Sequence, residues 1–204
     1  RQRRQRQRAQ PPFTTAGLQR AASSELGMSP TLTMRLAQQL YEGIAIGDGD
    51  AVGLITYMRT DSTNISADAQ LIAGQFIEER YGADYVPTTP NVYRTRTRNA
   101  QEAHEAVRPT SISRVPSDIR DDLDPQQYRL YNLIWRRYVA SQMTPAQTRT
   151  VTVLTEPTRD GAVLPFRFRA SATEELFPGH RVVSRTVRDE PAEVLEARRM
   201  ILEL

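Results

Sequence analysis

Cysteine is absent from this 204-residue chain, which excludes disulfide scaffolds, thiolate zinc sites and cysteine nucleophiles. Lysine is absent too: every one of the 27 basic residues is arginine. A phosphate loop of the Walker type and a Schiff-base enzyme both need a lysine, so both classes fall. Histidine occurs only twice, at His104 and His180. No stretch approaches the roughly 20 consecutive apolar residues that a membrane span requires. Nor does an apolar segment follow the charged start Arg1-Gln2-Arg3-Arg4, so a secretory signal is not expected.

The net charge of +3 is unevenly placed. Five of the 27 arginines lie in the first eight residues, which leaves 22 against 24 acids elsewhere. Excess charge therefore belongs to the start of the chain and does not by itself argue for nucleic-acid binding. Residues 1–10, an Arg/Gln run, read as a flexible, solvated basic tail.

Beyond it, Thr14 or Thr15 can cap a short helix to about Ser23, and Leu26-Gly27-Met28 makes a turn. Ser29-Pro30 then offers an N-cap followed by proline at the first helical position. Leu32, Leu36 and Leu40 recur every fourth residue before Gly43 stops the helix. Such a pair resembles a helix-turn-helix. Gly47-Asp48-Gly49-Asp50 is a loop; it lacks the spacing and the preceding strand of a dinucleotide fingerprint. Leu54 to Arg59 is short and extended, and Ser66 caps a helix to about Tyr81. A further helix spans Pro125 to about Met143, its stripe of Tyr128, Tyr131, Trp135 and Tyr138 reading as core. After Pro145, Val151 and Val153 alternate with threonines, Arg159-Asp160-Gly161 turns, and Leu164, Phe166 and Phe168 alternate on the return, a β-hairpin. The expected organisation is α+β: a tail over 1–10, a mostly helical domain over 11–144, and a strand-rich piece over 145–204.

Two clusters could carry chemistry. In an extended Leu54–Ser62 segment, Tyr57 and Arg59 share one side. A phenol is a poor nucleophile unless a positive neighbour favours the phenolate, and the guanidinium fork of Arg59 also matches two phosphate oxygens. Asp61 could orient a nearby donor. Spacing alone favours a half-buried strand tyrosine beside an ordinary surface arginine. The second cluster is Gln101-Glu102-Ala103-His104-Glu105-Ala106-Val107-Arg108-Pro109. If helical, it would put His104 and Arg108 on one face. Position 108 is not histidine, so the HExxH zinc pattern fails.

Both clusters resemble one family. Ile55-Thr56-Tyr57-Met58-Arg59-Thr60-Asp61-Ser62-Thr63-Asn64 is similar to the active-site tyrosine motif of type IA DNA topoisomerases, and Glu102-Ala103-His104-Glu105-Ala106-Val107-Arg108-Pro109-Thr110 to their second motif. Met58 and Glu102 align it with the bacterial branch rather than with topoisomerase III. Pro12–Gln19 and Ile134–Met143 resemble the same family, and the likeness runs from about residue 11 to 179.

The resemblance implies a winged-helix core in the helical domain and part of a β-rich arch after it. It implies cleavage of single-stranded DNA by Tyr57 through a 5′-phosphotyrosyl bond, assisted by Arg59, His104 and Asp61, with DNA contacts from Arg59, Thr60, Ser62, His104 and Arg108. Strand passage would then relax negatively supercoiled DNA. Mg²⁺ would be held by a TOPRIM domain of the intact enzyme, of which this chain shows no sign, and no metal would be bound by the chain itself. TOPRIM and the other domains would be its partners, and its location cytoplasmic and nucleoid-associated. Alternatives are a non-catalytic helix-turn-helix DNA-binding module, or the topoisomerase half of a reverse gyrase.

Overall fold

Helix starts are set by capping chemistry. In the computed structural model, which describes residues 1–93, 104–184 and 192–203, the Thr14 hydroxyl accepts from the Gly17 N–H at 3.1 Å and opens α1 (Thr15–Leu26). Ser29 does the same for α2 (Pro30–Glu42) by accepting from Leu32. Gly27, at φ 70°, ends α1 in the left-handed region that glycine adopts without a Cβ penalty. A two-stranded hairpin follows directly, β2 (Ile44–Ala45) against β3 (Ala51–Val52). Ser66 caps α3 (Ala67–Tyr81). Asp124 forms a reciprocal capping box with Gln127 at the start of α4 (Pro125–Gln142).

α4 is the spine of the helical unit, packing on α1, α2, α3 and the 3₁₀ stretch Pro116–Asp122. Leu130, Tyr131, Ile134, Trp135, Tyr138 and Val139 are buried. Burial of a tyrosine or tryptophan is stable only if its polar end finds a partner. Each does: Tyr131 donates to the Arg114 carbonyl at 2.8 Å, Trp135 to Ile112 at 2.9 Å and Tyr138 to Ala69 at 2.9 Å. Burial accordingly pushes the Tyr138 phenol up to about 12. The aromatic stripe is core, as its spacing indicates.

The chain divides into two compact units, Ala9–Thr144 and Arg1–Arg8 with Pro145–Leu204. In the second, β4 (Ala146–Thr155) is the central strand of an antiparallel sheet in the order β1-β4-β7, with β1 at Gln2–Gln7 and β7 at Phe168–Phe177. The solvated tail expected over residues 1–10 is therefore corrected. All six β1 residues are exposed, so no apolar alternation marks them; the strand is held by its main-chain ladder to β4. The return strand also differs from expectation. The Arg159–Gly161 turn closes a short hairpin, β5 (Thr158–Arg159) with β6 (Ala162–Val163), whereas the partner of β4 begins at Phe168.

After β7 come α5 (Arg181–Ser184) and α6 (Ala192–Leu202), the latter packing on β7 and β4. His180 is buried, with Nε2 3.1 Å from the Gln7 carbonyl, and burial lowers its pKa. It ties β1 to the segment after β7. No described helix is long and apolar enough to cross a membrane.

Candidate functional site

The segment after β3 runs without helix or ladder from Gly53 to Ser66, yet it is tightly fixed. Met58, Thr60 and Ser62 are buried, and Tyr57, Arg59 and Asp61 between them are exposed. That is the period-2 alternation of an extended chain. One side anchors the segment and the other presents a phenol, a guanidinium and a carboxylate.

The anchors are hydroxyls. Thr15, in the first turn of α1, donates to the Met58 carbonyl at 2.7 Å and accepts from the Thr60 N–H at 2.8 Å, while its own N–H bonds the Thr60 carbonyl at 2.8 Å. Thr60 Oγ1 accepts from the Ser62 N–H, and Ser62 Oγ from the Asn64 N–H. Thr60 and Ser62, expected as DNA contacts, also brace the segment: their hydroxyls, at residues 8 % and 0 % exposed, accept from neighbouring backbone N–H groups.

The second motif is laced to the first. Thr56 N donates to the Arg108 carbonyl at 2.9 Å, Thr56 Oγ1 to the Ala106 carbonyl at 2.7 Å, and Arg108 N to Thr56 Oγ1 at 3.0 Å. Ala106 N donates to Asn64, and isolated bridges pair Ile55 with Pro109 and Phe13 with Val107. Residues 104–110 are therefore extended rather than helical, and the helical pairing of His104 with Arg108 is corrected. Backbone partners offered by Phe13, Leu54, Thr56 and Asn64 outcompete the local helix. Glu102 and Ala103 lie outside the described residues.

The two charged ends of this motif behave differently. The Arg108 side chain is only 14 % exposed; it pairs with Glu105 at 2.6 Å and donates to the Pro109 carbonyl at 3.1 Å. Expected as a phosphate contact, it is paired within the protein in this structure. His104 is exposed and, among the described residues, makes no hydrogen bond or ion pair. The same holds for Arg59, Asp61 and the Tyr57 hydroxyl. Asp61 and His104 are thus not bonded to each other. Tyr57 is 51 % exposed, its ring edge-on to Tyr41 of α2 with centroids 5.3 Å apart. That contact sets the phenol's direction without using its oxygen.

Glu105 carries a structural charge. Burial works against its carboxylate, but the Ser66 N–H at 2.7 Å and the Arg108 guanidinium outweigh that and hold its pKa below the ordinary 4.5. A depressed carboxyl stabilises the fold above about pH 4.5, and that contribution is lost as pH falls through the lower folded value. Glu105→Gln is expected to lower the melting temperature at pH 7. The gap to wild type should close in titrations below pH 4; a gap constant across that range would refute the assignment.

Gly53, Thr15, Thr56 and Tyr41 position the Tyr57 segment, a role that sequence reasoning missed. A Cβ on Gly53 would lie 2.7 Å from the Tyr41 carbonyl oxygen, closer than real contacts allow. The close approach lets Leu54 N donate to the Leu40 carbonyl at 2.7 Å. Gly53→Ala should cost about 1–3 kcal/mol by this overpacking and displace the Tyr57 segment from α2. An unchanged thermal melt would contradict it.

The chain's likenesses agree with this arrangement. The family model described as DNA topoisomerase matches residues 1–199. DNA topoisomerase 1 of Xylella fastidiosa is 52 % identical over 148 residues, 72 % of this chain and 18 % of that protein. DNA topoisomerase 1 of Helicobacter pylori is 48 % identical over 172 residues, 83 % of this chain and 22 % of that protein. The solved structure of full-length topoisomerase I from Thermotoga maritima superposes with a TM-score of 0.78 at 37 % identity, over 94 % of this chain and 29 % of that one. The chain thus spans about a fifth of the curated relatives' length. With motifs, fold and sequence in accord, the chain belongs to the DNA topoisomerase family.

Proposed function

We propose that this chain supplies the DNA-cleaving tyrosine of a type IA DNA topoisomerase. The observation that carries the reading is the braced segment on which Tyr57, Arg59 and Asp61 stand exposed and, among the described residues, without protein partners, with His104 likewise exposed on the second motif laced to it. Polar groups presented to solvent from a braced backbone suit a charged ligand.

The Tyr57 oxygen attacks a backbone phosphorus of single-stranded DNA and loses its proton. A phosphorus–oxygen bond to tyrosine forms at the new 5′ end, the bond from phosphorus to the 3′ oxygen breaks, and that oxygen takes up a proton. One phosphodiester replaces another, so resealing needs no external energy source. Arg59 holds two phosphate oxygens in its fork and offsets the charge that develops on them. His104 bonds the phosphate or carries the proton, and Asp61 orients it once DNA is bound. Repeated cleavage, strand passage and resealing would relax negatively supercoiled DNA in the longer enzyme.

The succession of α1, a tight turn, α2 and the β2–β3 hairpin supports a winged-helix reading of the helical unit. Mg²⁺ is proposed only for the longer enzyme, held by a TOPRIM domain. Among the described residues no three His, Asp or Glu side chains gather to hold an ion, and Glu105 is already committed to Ser66 and Arg108. No step above is routed through the metal. The other domains of the enzyme are its proposed partners, in a cytoplasmic, nucleoid-associated setting. The test is a cleavage reaction of the longer enzyme on 3′-end-labelled single-stranded DNA, quenched in denaturant. Label that remains covalently on protein supports the reading, and fully free label refutes it.

A further inference from the structure

In the strand-rich unit the two faces of the β1-β4-β7 sheet are unlike. Val151 and Ala172 face each other across β4 and β7 and are buried. α6 packs on those same two strands. The alternate residues point the other way. On β4 these are Thr150, Thr152 and Leu154, on β7 Arg169, Ser171 and Thr173, and on β1 Arg3, with Arg1 just before it.

This open face has a hydroxyl floor and a cationic border. Thr150 bonds Thr173 and Thr152 bonds Ser171, each at 3.0 Å, forming two rungs across the strands. Arg1, Arg3 and Arg169 line the shallow concavity with Gln5, Thr150, Thr152 and Leu154, and no carboxylate is among its lining residues. Several other arginines of the unit are paired: Arg149 with Glu174, Arg181 with Glu175, Arg167 with Glu156. Arg3 and Arg169, by contrast, make no ion pair among the described residues. Same-side neighbours on a strand sit about 7 Å apart and adjacent strands about 5 Å apart. Three guanidiniums are thus spread across a span on the scale of neighbouring backbone phosphates.

We propose that this face is a second, non-catalytic DNA-binding surface, gripping the phosphates of a DNA strand with Arg1, Arg3 and Arg169 while the hydroxyl rungs bond phosphate oxygens. Charge complementarity selects the occupant: three free cations and hydroxyl donors with no acid suit a polyanionic backbone. Leu154, 61 % exposed, offers the sugar or base an apolar contact. The proposal rests on the DNA reading above but not on Tyr57, so the two fail separately.

The test uses this chain and a fluorescent single-stranded oligonucleotide, with binding followed by anisotropy across a salt series. Each phosphate contact contributes about 0.7 to the slope of log affinity against log salt for single strands. Arg3→Gln/Arg169→Gln should reduce that slope by about 1.4. Arg4→Gln/Arg6→Gln removes the same charge from the opposite side of β1 and should reduce it by less than half as much. Circular dichroism verifies that both variants fold. Equal losses in the two pairs, an unchanged slope in the first, or no binding by the wild-type chain would each overturn the proposal. Covalent adduct formation by the longer enzyme tests the catalytic reading independently.

Discussion

Tyr57→Phe is expected to abolish the covalent protein–DNA adduct while leaving the fold and noncovalent DNA binding intact. The substitution removes one oxygen and almost no volume. That oxygen has no hydrogen-bond partner among the described residues, so its loss leaves no buried group unsatisfied. The ring contact with Tyr41 survives, because it uses the ring alone. Stability should therefore change by less than about 1 kcal/mol, whereas the nucleophile is gone outright. A variant whose denatured gel band still carries DNA would show that another group performs the attack.

Arg59→Lys should reduce DNA cleavage by one to two orders of magnitude, or about 1.4–2.8 kcal/mol of transition-state stabilisation. Charge is retained, but a lysine ammonium cannot offer two parallel donors to one phosphate. Arg59 is exposed and makes no ion pair among the described residues, so a broken pair among them does not account for the loss. Binding of uncleaved DNA should fall much less than the cleavage rate, since the fork matters most where phosphate charge grows. Wild-type cleavage by the lysine variant would reduce Arg59 to a surface charge.

Much of this was legible in the sequence because it rests on local chemistry. Thr14, Ser29 and Ser66 cap the helices that they announce. The alternation Tyr57, Arg59, Asp61 against Met58, Thr60, Ser62 follows from extended geometry alone. What escaped depends on partners distant in the chain. Residues 104–110 fit a helix locally, and only the backbone groups of Phe13, Leu54, Thr56 and Asn64 draw them out. β1 has no apolar pattern because its stability lies in main-chain bonds to β4, a strand far along the chain. The roles of Gly53 and Thr15 arise from close approach to Tyr41 and Thr60, which no spacing rule encodes.

The most direct test of the central claim is to locate the DNA on the protein. The longer enzyme is trapped on a short oligonucleotide, digested with protease and nuclease, and its peptides sequenced by mass spectrometry. The account predicts a nucleotide mass on Tyr57 alone. Modification of Tyr41, whose ring lies 5.3 Å from that of Tyr57, or of any other residue, would contradict it.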